Sequence, residues 1–352
     1  MRTLHEDDIT PLATGAWILG SGGGGSPYDG WLNLDALYRG GVAIDLVDPG
    51  ELDDDDLVAV VATMGAPLAG QERLADPELS AAPVRALEDW LGRPFQAVMA
   101  AEIGGGNGIE PFLAGAALNL PVVDADTMGR AFPEAQMTSF AIHDLAVFPM
   151  ALGDVRDNAV IVTRAASWHW MERLSRVVTT ALGSTAPTAE APRSGGEVKA
   201  FAIHGSVSRA IRIGRAVRDA QQRLADPVAA VIDSEGGRLV FTGKVNDVRR
   251  RTSEGFLRGR AVLEGAGTFE VDFQNEYLIG RRDGVLAVMT PDIICLMDVE
   301  SGEAVGTETL RYGQRIAVVA LPVPAILTTQ RGLELVGPRA FGYDFDYTSA
   351  FA

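Results

Sequence analysis

A glycine-rich turn between an apolar run and a helix-like segment constrains the fold more than any other feature of the sequence. Residues 95–101 are apolar, residues 109–118 have helical patterning, and between them lie Gly104, Gly105, Gly106, Asn107 and Gly108. Glycines remove side chains from a tight turn and let the backbone approach a ligand or another strand. The amides that open the following helix have no helical partner and can hold an anion. The sequence therefore predicts either an amide-lined binding loop or a tight turn without a ligand.

Strands and helices alternate along the first half of the chain. The sequence predicts helices over residues 77–91 and 109–118 and strands over residues 42–47, 57–63, 95–101, 121–124 and 158–163. Such alternation is typical of a parallel or mostly parallel sheet that is covered on both faces. Ligands bind beyond the carboxyl ends of such strands. The turn at residues 64–67, the Gly104 loop and the pair Asp124 and Asp126 all follow strands, which predicts a site at that edge.

The pattern changes after residue 167. A helix is predicted over residues 168–182, a Ser/Pro/Gly/Ala-rich connector over 183–196, a strand over 199–204 and a helix over 207–224, and short apolar runs then alternate with turns to residue 321. That spacing favours a compact β-barrel or sandwich. We therefore predict an α/β fold class with two domains, an α/β domain over 1–167 and a β-rich domain with one or two helices over 168–329. The tail over 330–352, which includes the ligand-binding candidates Arg339 and Asp344, is expected to return to the first domain's cleft.

The bulk composition narrows the class of protein. A chain of 352 residues suggests two domains. The net charge of −17 argues against binding to nucleic acid or to an anionic membrane surface. The single cysteine, Cys295, excludes an internal disulfide and a cysteine-based metal cluster, and its apolar surroundings indicate a buried, inert thiol. The sequence shows neither the pattern of a signal peptide nor an apolar run long enough to span a membrane, so a cytoplasmic protein is expected.

A second glycine-rich loop admits two interpretations. Gly20, Gly22 and Gly25 satisfy the G-x-G-x-x-G pattern, and Asp45 lies twenty residues further on. A dinucleotide fingerprint requires a strand before the first glycine, whereas the segment before Gly20 favours a helix. A loop that lines a cleft, with Gly23 and Gly24 near the substrate, is the interpretation we favour, and nucleotide binding is the alternative.

Several acidic residues and one histidine are candidates for catalysis. Asp124 and Asp126 are two residues apart, so a continuing strand would place both carboxylates on one face. Such a pair can bind a hard cation or share a proton, or one member can cap the next helix. Glu102 follows an apolar strand, which favours a buried carboxyl with a shifted pKa. His143 is the first choice among the four histidines for a base or a ligand. The cofactor stays open, with a divalent metal as one alternative.

Several segments together resemble one known family over nearly the full length. They are residues 19–26 (LGSGGGGS), 102–108 (EIGGGNG), 121–134 (PVVDADTMGRAFPE), 290–294 (TPDII) and 337–344 (GPRAFGYD). The chain is identified on these motifs as a member of the S-methyl thiohydantoin desulfurase-like family. The resemblance implies a two-domain arrangement and a hydrolase of cyclic amides or thioamides. Some members are linked to the removal of sulfur from thiohydantoins, and others are associated with hydantoinase- or oxoprolinase-type enzymes.

The residues and the resemblance together give a first hypothesis for the reaction. Water activated by Asp124, Asp126 or His143, directly or through a metal, attacks the C2 thiocarbonyl of a thiohydantoin. Amides of the Gly104 loop hold the charge on sulfur, and Arg130 or Arg339 pairs with a carboxylate of the substrate. The alternatives are a non-catalytic partner of a hydantoinase-like enzyme and a nucleotide-dependent enzyme, and a homo-oligomer is open in each case.

Overall fold

A computed structural model of the chain describes residues 1–65, 76–253 and 255–352. The helices in these ranges are α1 (Glu6–Leu19), α2 (Tyr28–Arg39), α3 (Ala82–Leu91), α4 (Glu110–Leu118), α5 (Ser139–Ile142), α6 (Trp168–Ala181), α7 (Gly195–Phe201), α8 (Ser206–Gln222), α9 (Pro227–Glu235) and α10 (Gln330–Val336). Short 3-10 turns span Pro49–Glu51, Leu79–Ala81, Gly105–Gly108, Ala325–Thr328 and Pro338–Phe341.

The strands in the same ranges form two large sheets and one small one. The strands are β1 (Arg2–Thr3), β2 (Asp45–Val47), β3 (Leu57–Gly65), β4 (Ala97–Ala100), β5 (Val122–Val123), β6 (Ala125–Asp126), β7 (Met150–Gly153), β8 (Ala159–Val162), β9 (Thr185–Ala189), β10 (Arg193–Ser194), β11 (Ile203–His204), β12 (Arg238–Ser253), β13 (Phe256–Gly265), β14 (Gly267–Gln274), β15 (Glu276–Arg282), β16 (Val285–Met289), β17 (Ile293–Asp298) and β18 (Arg315–Leu321).

The first sheet is mixed and has a parallel centre. Its described strands follow the order β1-β2-β5-β4-β3-β9-β7-β8, with β10 also paired to β3. Strands β2, β5, β4 and β3 run parallel, and antiparallel strands extend the sheet at both ends. Alternate residues of β3 point to opposite faces, so Ala59 and Val61 pack with α3 and α4 while Val58 and Val60 pack with α5 and α7. Both faces are therefore covered, and the predicted α/β class is confirmed.

The second sheet is antiparallel and curled, and it makes the second domain β-rich, as the sequence predicts. Its described strands follow the order β16-β15-β14-β13-β12-β18-β17, and the curl brings β15 against β17. In β17, Ile294 and Leu296 point into the curled sheet, whereas Ile293 and Cys295 point toward the helices. Cys295 is buried, and burial raises the pKa of its thiol. The prediction of a buried thiol is confirmed.

Two long helices, one from each half of the chain, join the halves. Helix α1 packs along α8. A Cβ atom at Gly15 would lie 1.8 Å from the Ala210 carbonyl oxygen, and one at Gly214 would lie 1.9 Å from the Pro11 carbonyl oxygen. Both positions therefore require glycine, because the two backbones touch. One hydrophobic core runs from the first sheet through these helices to β17 and β18.

Two elements differ from the predictions for residues 183–204. The predicted connector over 183–196 contains β9 and β10, which both pair with β3, so the first sheet takes chain from both sides of residue 167. The predicted strand over 199–204 is wrong for most of its length, because α7 ends at Phe201 and only Ile203 and His204 form a strand. A capping box between Ser194 and Glu197 starts α7 at Gly195.

The C-terminal tail packs against both domains, and residues 330–352 do not themselves line the cavity described below. Val336 in α10 packs against Met128 and Phe132 of the first domain. The aromatic side chains Tyr343, Phe345 and Tyr347 then cover Leu278, Ile279 and Met289 on the second sheet. Ala66 and Pro67 of the predicted turn at residues 64–67 lie outside the described residues. None of the helices that the structure describes is long and apolar enough to cross a membrane.

Candidate functional site

A cavity of about 300 Å³ opens at the carboxyl ends of β3 and β4, the edge where the sequence predicts a site. Strand β3 contributes Thr63 and Met64, and the end of β4 contributes Ala101 and Glu102. The remaining wall comes from the two glycine-rich loops, helices α2, α4 and α6, strand β9 and the turn between β14 and β15. Its polar members include Ser26, Asp29, Asn33, Asn107, Glu110, Glu134, Glu172, Arg176, Thr188, Glu190, Asn275 and Glu276.

Glu102 is the one predicted catalytic residue that lies in the described wall of this cavity. Its side chain is buried, its Oε1 accepts from Asn107 Nδ2 at 2.5 Å, and its Oε2 accepts from the Phe132 amide at 3.0 Å. Asn107 is fixed in turn, because its Oδ1 accepts from the Thr63 amide at 2.7 Å. Burial raises the pKa of Glu102 to about 8 despite these hydrogen bonds, and the negative charges of Asp126 and Glu190 raise it further. Glu102 is therefore an oriented carboxyl that holds its proton at neutral pH.

Glu190 is a second buried carboxyl in the same wall. It follows β9 directly, and its side chain is 8% exposed. Burial raises its pKa to about 7, the charge of Arg193 opposes the rise, and the charge of Glu172 adds to it. Glu102 and Glu190 thus line the same cavity, burial raises the pKa of both, and the negative charge of Glu190 raises the pKa of Glu102 further.

Glu276 brings a third buried carboxyl from the second domain. It begins β15 and is 2% exposed. Burial, together with the charge of Glu102, raises its pKa well above the usual range, although the charge of Arg130 opposes the rise. Its Oε2 has no hydrogen-bond partner among the described residues. The wall of the cavity is thus completed across the domain junction.

A single basic residue, Arg176, accompanies eight acidic residues in the described lining. Its guanidinium donates to Glu172 and, at 3.1 Å, to the Pro133 carbonyl oxygen. Its planar group also lies over the Phe256 ring at 4.3 Å from the centroid. Arg176 therefore holds the rim of the cavity together across the two domains.

The Gly104 loop approaches another backbone segment. A Cβ atom at Gly104 would lie 2.5 Å from the Ala131 nitrogen, and one at Gly105 would lie 2.5 Å from the Gly24 carbonyl carbon. The Gly106 amide donates to Gly24 and Gly25 carbonyl oxygens at 3.0 and 2.9 Å. Only Gly106 and Asn107 of this loop line the cavity. The glycines of the two loops therefore allow the loops to pack on each other, and the predicted amide-lined anion site remains a prediction.

The other glycine-rich loop follows a helix, α1, and lacks the preceding strand of a dinucleotide fingerprint. It is held by the second domain. Ser21 Oγ donates to the Ile294 carbonyl oxygen at 2.9 Å, and the Tyr277 and Thr307 amides donate to the Ser21 and Gly22 carbonyl oxygens at 2.7 and 2.9 Å. Of the two predicted substrate-binding glycines, Gly24 lines the cavity and Gly23 lies against Glu276.

The aspartates after β5 serve the backbone. Asp126 is fully buried, and its Oδ2 accepts from the Ile103, Met128 and Gly129 amides at 2.9, 3.2 and 2.7 Å. Burial raises its pKa to about 7. Asp124 accepts from the Ser208 amide at 3.0 Å and from the Ser208 hydroxyl, so it caps α8. Neither residue belongs to the cavity lining.

The remaining predicted residues lie outside the cavity lining. His143 is exposed and packs on the Phe201 ring at 4.7 Å between centroids. Arg130 is fully buried and donates to the Ala131, Pro291 and Asp292 carbonyl oxygens. Arg339 and Asp344 are exposed and pair with each other at 3.0 Å. Among the described residues, no group of three or more His, Cys, Asp or Glu side chains is arranged to hold a metal ion.

The sequence reasoning missed Glu190 and Glu276. Glu190 lies in the segment interpreted as a connector, although the preceding Thr185–Ala189 forms a strand in the first sheet. Glu276 lies between two apolar strands at a one-residue hairpin turn, where Asn275 has a φ of +56°. An acidic residue at a turn usually predicts a solvated position, and only the packing of this turn against the first domain buries it.

The fold and the cavity define a class, a two-domain α/β protein with an acidic cavity at the domain junction. The chain belongs to the S-Me-THD-like family, whose N-terminal domain matches residues 7–164 and whose C-terminal domain matches residues 166–350. It is also similar to a protein from Chromobacterium violaceum of known crystal structure, with 26% sequence identity and a TM-score of 0.85 over 99% of this chain and 100% of that chain. No curated protein matches the chain significantly.

Proposed function

We propose that this protein is a hydrolase of small cyclic amides or thioamides, with removal of sulfur from a thiohydantoin as its reaction. The observation that carries the proposal is the pair Glu102 and Glu190, two buried carboxyls in the wall of one cavity whose pKa values burial raises to about 8 and about 7. Membership of the S-Me-THD-like family supports the ring chemistry. The size of the cavity, about 300 Å³, suits a small ring compound.

The two carboxyls divide the proton transfers in the first step. Ionised Glu190 takes a proton from water as the water oxygen bonds to the ring carbon of the C=S group. The C=S π electrons move to sulfur, which takes the proton of Glu102, so the adduct carries one hydroxyl and one thiol. General acid and general base catalysis of this kind contribute about 10²–10⁴-fold to the rate.

The second step reverses the role of Glu102. The C–S bond breaks, sulfur leaves with the bonding electron pair as hydrosulfide, and the hydroxyl proton returns to the Glu102 carboxylate as the C=O bond forms. The proton held by Glu190 then passes to hydrosulfide or to solvent. Each turnover thus converts C=S and water to C=O and hydrogen sulfide, and both carboxyls regain their starting states.

Asn107 and Phe132 orient the acid for these transfers. They hold one oxygen of Glu102 each, from the Asn107 side-chain amide and the Phe132 backbone amide. Because Asn107 is tied to the Thr63 backbone in β3, the carboxyl has little freedom to rotate away from the cavity.

The test is sulfide release from a panel of 5-substituted 2-thiohydantoins, with the matching hydantoins assayed for ring opening. We expect the wild-type protein to release sulfide and Glu102→Gln to lose that activity while it stays folded. Glu303→Gln, at an exposed acid outside the cavity, is the matched control and keeps full activity. Turnover of Glu102→Gln at the wild-type rate, or an inactive wild-type protein across the whole panel, would refute the proposal.

A further inference from the structure

The turn between β14 and β15 carries a carboxyl of the second domain into the cavity of the first. Glu276 follows Asn275 at this turn, and both residues line the cavity. Asn275 is anchored, because its Oδ1 accepts from the Leu257 amide at 2.9 Å and its amide donates to the Leu257 carbonyl oxygen at 2.8 Å. The position of Glu276 is therefore set by a turn that is fixed to the neighbouring strand.

The first glycine-rich loop is shaped around Glu276 and the residue that follows it. A Cβ atom at Gly23 would lie 2.0 Å from Glu276 Oε1, and one at Gly22 would lie 2.4 Å from Tyr277 Cε2. Tyr277 is locked in place, since its amide donates to the Ser21 carbonyl oxygen and its hydroxyl donates to the Val305 carbonyl oxygen at 3.0 Å. Glycine at position 23 is thus required for the Glu276 side chain to reach the cavity wall.

One oxygen of this carboxyl is left over. Oε2 of Glu276 has no hydrogen-bond partner among the described residues, although the side chain is 2% exposed. The positive charge of Arg130 acts on this carboxyl, but no ion pair joins the two side chains among the described contacts. The Arg130 guanidinium instead donates to three backbone carbonyl oxygens. A buried polar atom without a partner is costly unless something in the working protein satisfies it.

The free oxygen of Glu276 matches a hydrogen-bond donor on a ligand. A carboxyl oxygen accepts hydrogen bonds, and the N–H of a cyclic amide is a donor beside the reacting carbon. Oε1 lies against Gly23, so Oε2 is the oxygen that such a donor would satisfy. Burial and the nearby charge of Glu102 raise the pKa of Glu276 above its usual range.

We propose that Glu276 is a substrate-binding residue whose Oε2 accepts a hydrogen bond from the ring N–H of a cyclic amide, so that the protein selects rings with an unsubstituted nitrogen beside the reacting carbon. This inference rests on the function proposed above and names the part of the substrate that is recognised. It also gives the Gly20–Gly25 loop a purpose, which is to make room for this carboxyl.

The first test uses the wild-type protein, so it does not depend on the folding of a variant. The compounds are one 5-substituted 2-thiohydantoin and its N1-methyl and N3-methyl derivatives, assayed for sulfide release and, as unreactive hydantoins, for binding by calorimetry. N-methylation removes the donor and leaves Oε2 buried without a partner, so at least one methyl derivative should bind about 10–100-fold more weakly than the parent. Equal binding of the parent and both methyl derivatives would overturn the inference.

The second test changes the residue. Glu276→Gln keeps an oxygen that can accept the hydrogen bond and should hold KM within about threefold, whereas Glu276→Met removes the acceptor and should raise KM about 10–100-fold with a smaller change in kcat. Gly23→Ala pushes the side chain away and should match Glu276→Met. An unchanged KM in folded Glu276→Met contradicts the inference.

The two proposals fail in distinguishable ways. If the wild-type protein binds hydantoins with the predicted dependence on N–H but releases no sulfide, the proposed reaction is wrong and the role of Glu276 stands. If it releases sulfide and ignores N-methylation, the reaction stands and the role of Glu276 is wrong. If it neither binds nor converts any ring of the panel, both are wrong.

Discussion

Two acidic pairs follow strands of the first sheet, and their carboxyl groups have different surroundings. Asp124 and Asp126 come after β5 and direct their oxygens to backbone amides or to the start of α8. Glu102 and Glu190 come after β4 and β9 and line a cavity. Burial raises the pKa of both Asp126 and Glu102, so a raised pKa does not distinguish the pairs. The distinguishing feature is whether the carboxyl lies in the wall of a space that a ligand can enter.

The largest expected difference between the pairs is in catalysis. Glu102→Gln should lower kcat/KM for ring hydrolysis by about 10²–10⁴-fold, because the amide cannot donate the proton to sulfur. Thermal unfolding should show a folded protein, since Gln retains the oxygen that accepts from Phe132. A variant with full activity would remove Glu102 from the catalytic pair and break the comparison.

The second difference is in stability. Asp126→Ala leaves three buried backbone amides without their acceptor and should lower the free energy of unfolding by about 3 kcal/mol or more. Urea unfolding of the Asp126→Ala and Glu102→Gln variants, compared with the wild-type protein, measures this difference in the free energy of unfolding. A stable Asp126→Ala protein that has lost activity would instead assign Asp126 to the reaction.

The pH dependence of stability should reflect Glu102, Glu190 and Asp126 together. The folded pKa values of Glu102 (about 8), Glu190 (about 7) and Asp126 (about 7) lie above those of unfolded carboxyls, so the folded state binds protons more tightly. Their contribution is present below the unfolded pKa, near 4, and is lost as pH rises toward 8. The unfolding free energy should therefore fall over this window, by at most about 1.4 kcal/mol per pH unit for each group. Urea titrations at several pH values should show a shallower fall for Glu102→Gln, and an unchanged slope would contradict its raised pKa.

A smaller effect is expected at the helix cap. Asp124→Ala removes the acceptor of the Ser208 amide at the start of α8 and should lower the free energy of unfolding by about 1 kcal/mol. Sulfide release by the folded protein should stay at the wild-type rate. A loss of activity beyond the loss of folded protein would show that Asp124 serves the site as well.

The smallest effect is expected at His143. The His143 ring is exposed, packs on one side against Phe201 and lies outside the cavity lining. His143→Ala should therefore change the free energy of unfolding by about 0.5 kcal/mol or less and leave kcat/KM unchanged. Steady-state kinetics of the two proteins suffice as the check. A large loss of kcat/KM would return the histidine to the list of candidate bases.

The sequence predicted the fold class and the edge of the sheet at which the cavity opens. The strands β3 and β4 were recognisable as continuous apolar runs, because both faces of the parallel centre of the sheet are covered and their side chains are buried on each face. Glu102 was predictable because it directly follows such a run. Glu190 and Glu276 were not, because β9 reads as a connector rich in Thr, Ala and Pro, and Glu276 is buried only by contacts between distant parts of the chain.

The glycines were predicted as a group, but their purpose was not. Four glycines in five positions indicate that another group comes close to this loop, but they do not identify that group. In the structure, the group is the backbone of the other glycine-rich loop. Local spacing carries no information about a partner that is some eighty residues away in the chain. The same reasoning explains in part why Asp124 and Asp126 looked catalytic, since two of the amides that they accept from, those of Ile103 and Ser208, are distant in sequence.

The direct backbone contacts between α1 and α8 limit which halves of related proteins can be joined in one chain. Each half contributes one glycine to the crossing, Gly15 and Gly214, and Gly23 of the first half admits Glu276 of the second. A chimera that joins the first half of one relative to the second half of another would therefore need compatible residues at both places. The halves of such a protein are expected to be inherited as a matched set, although each has its own sheet.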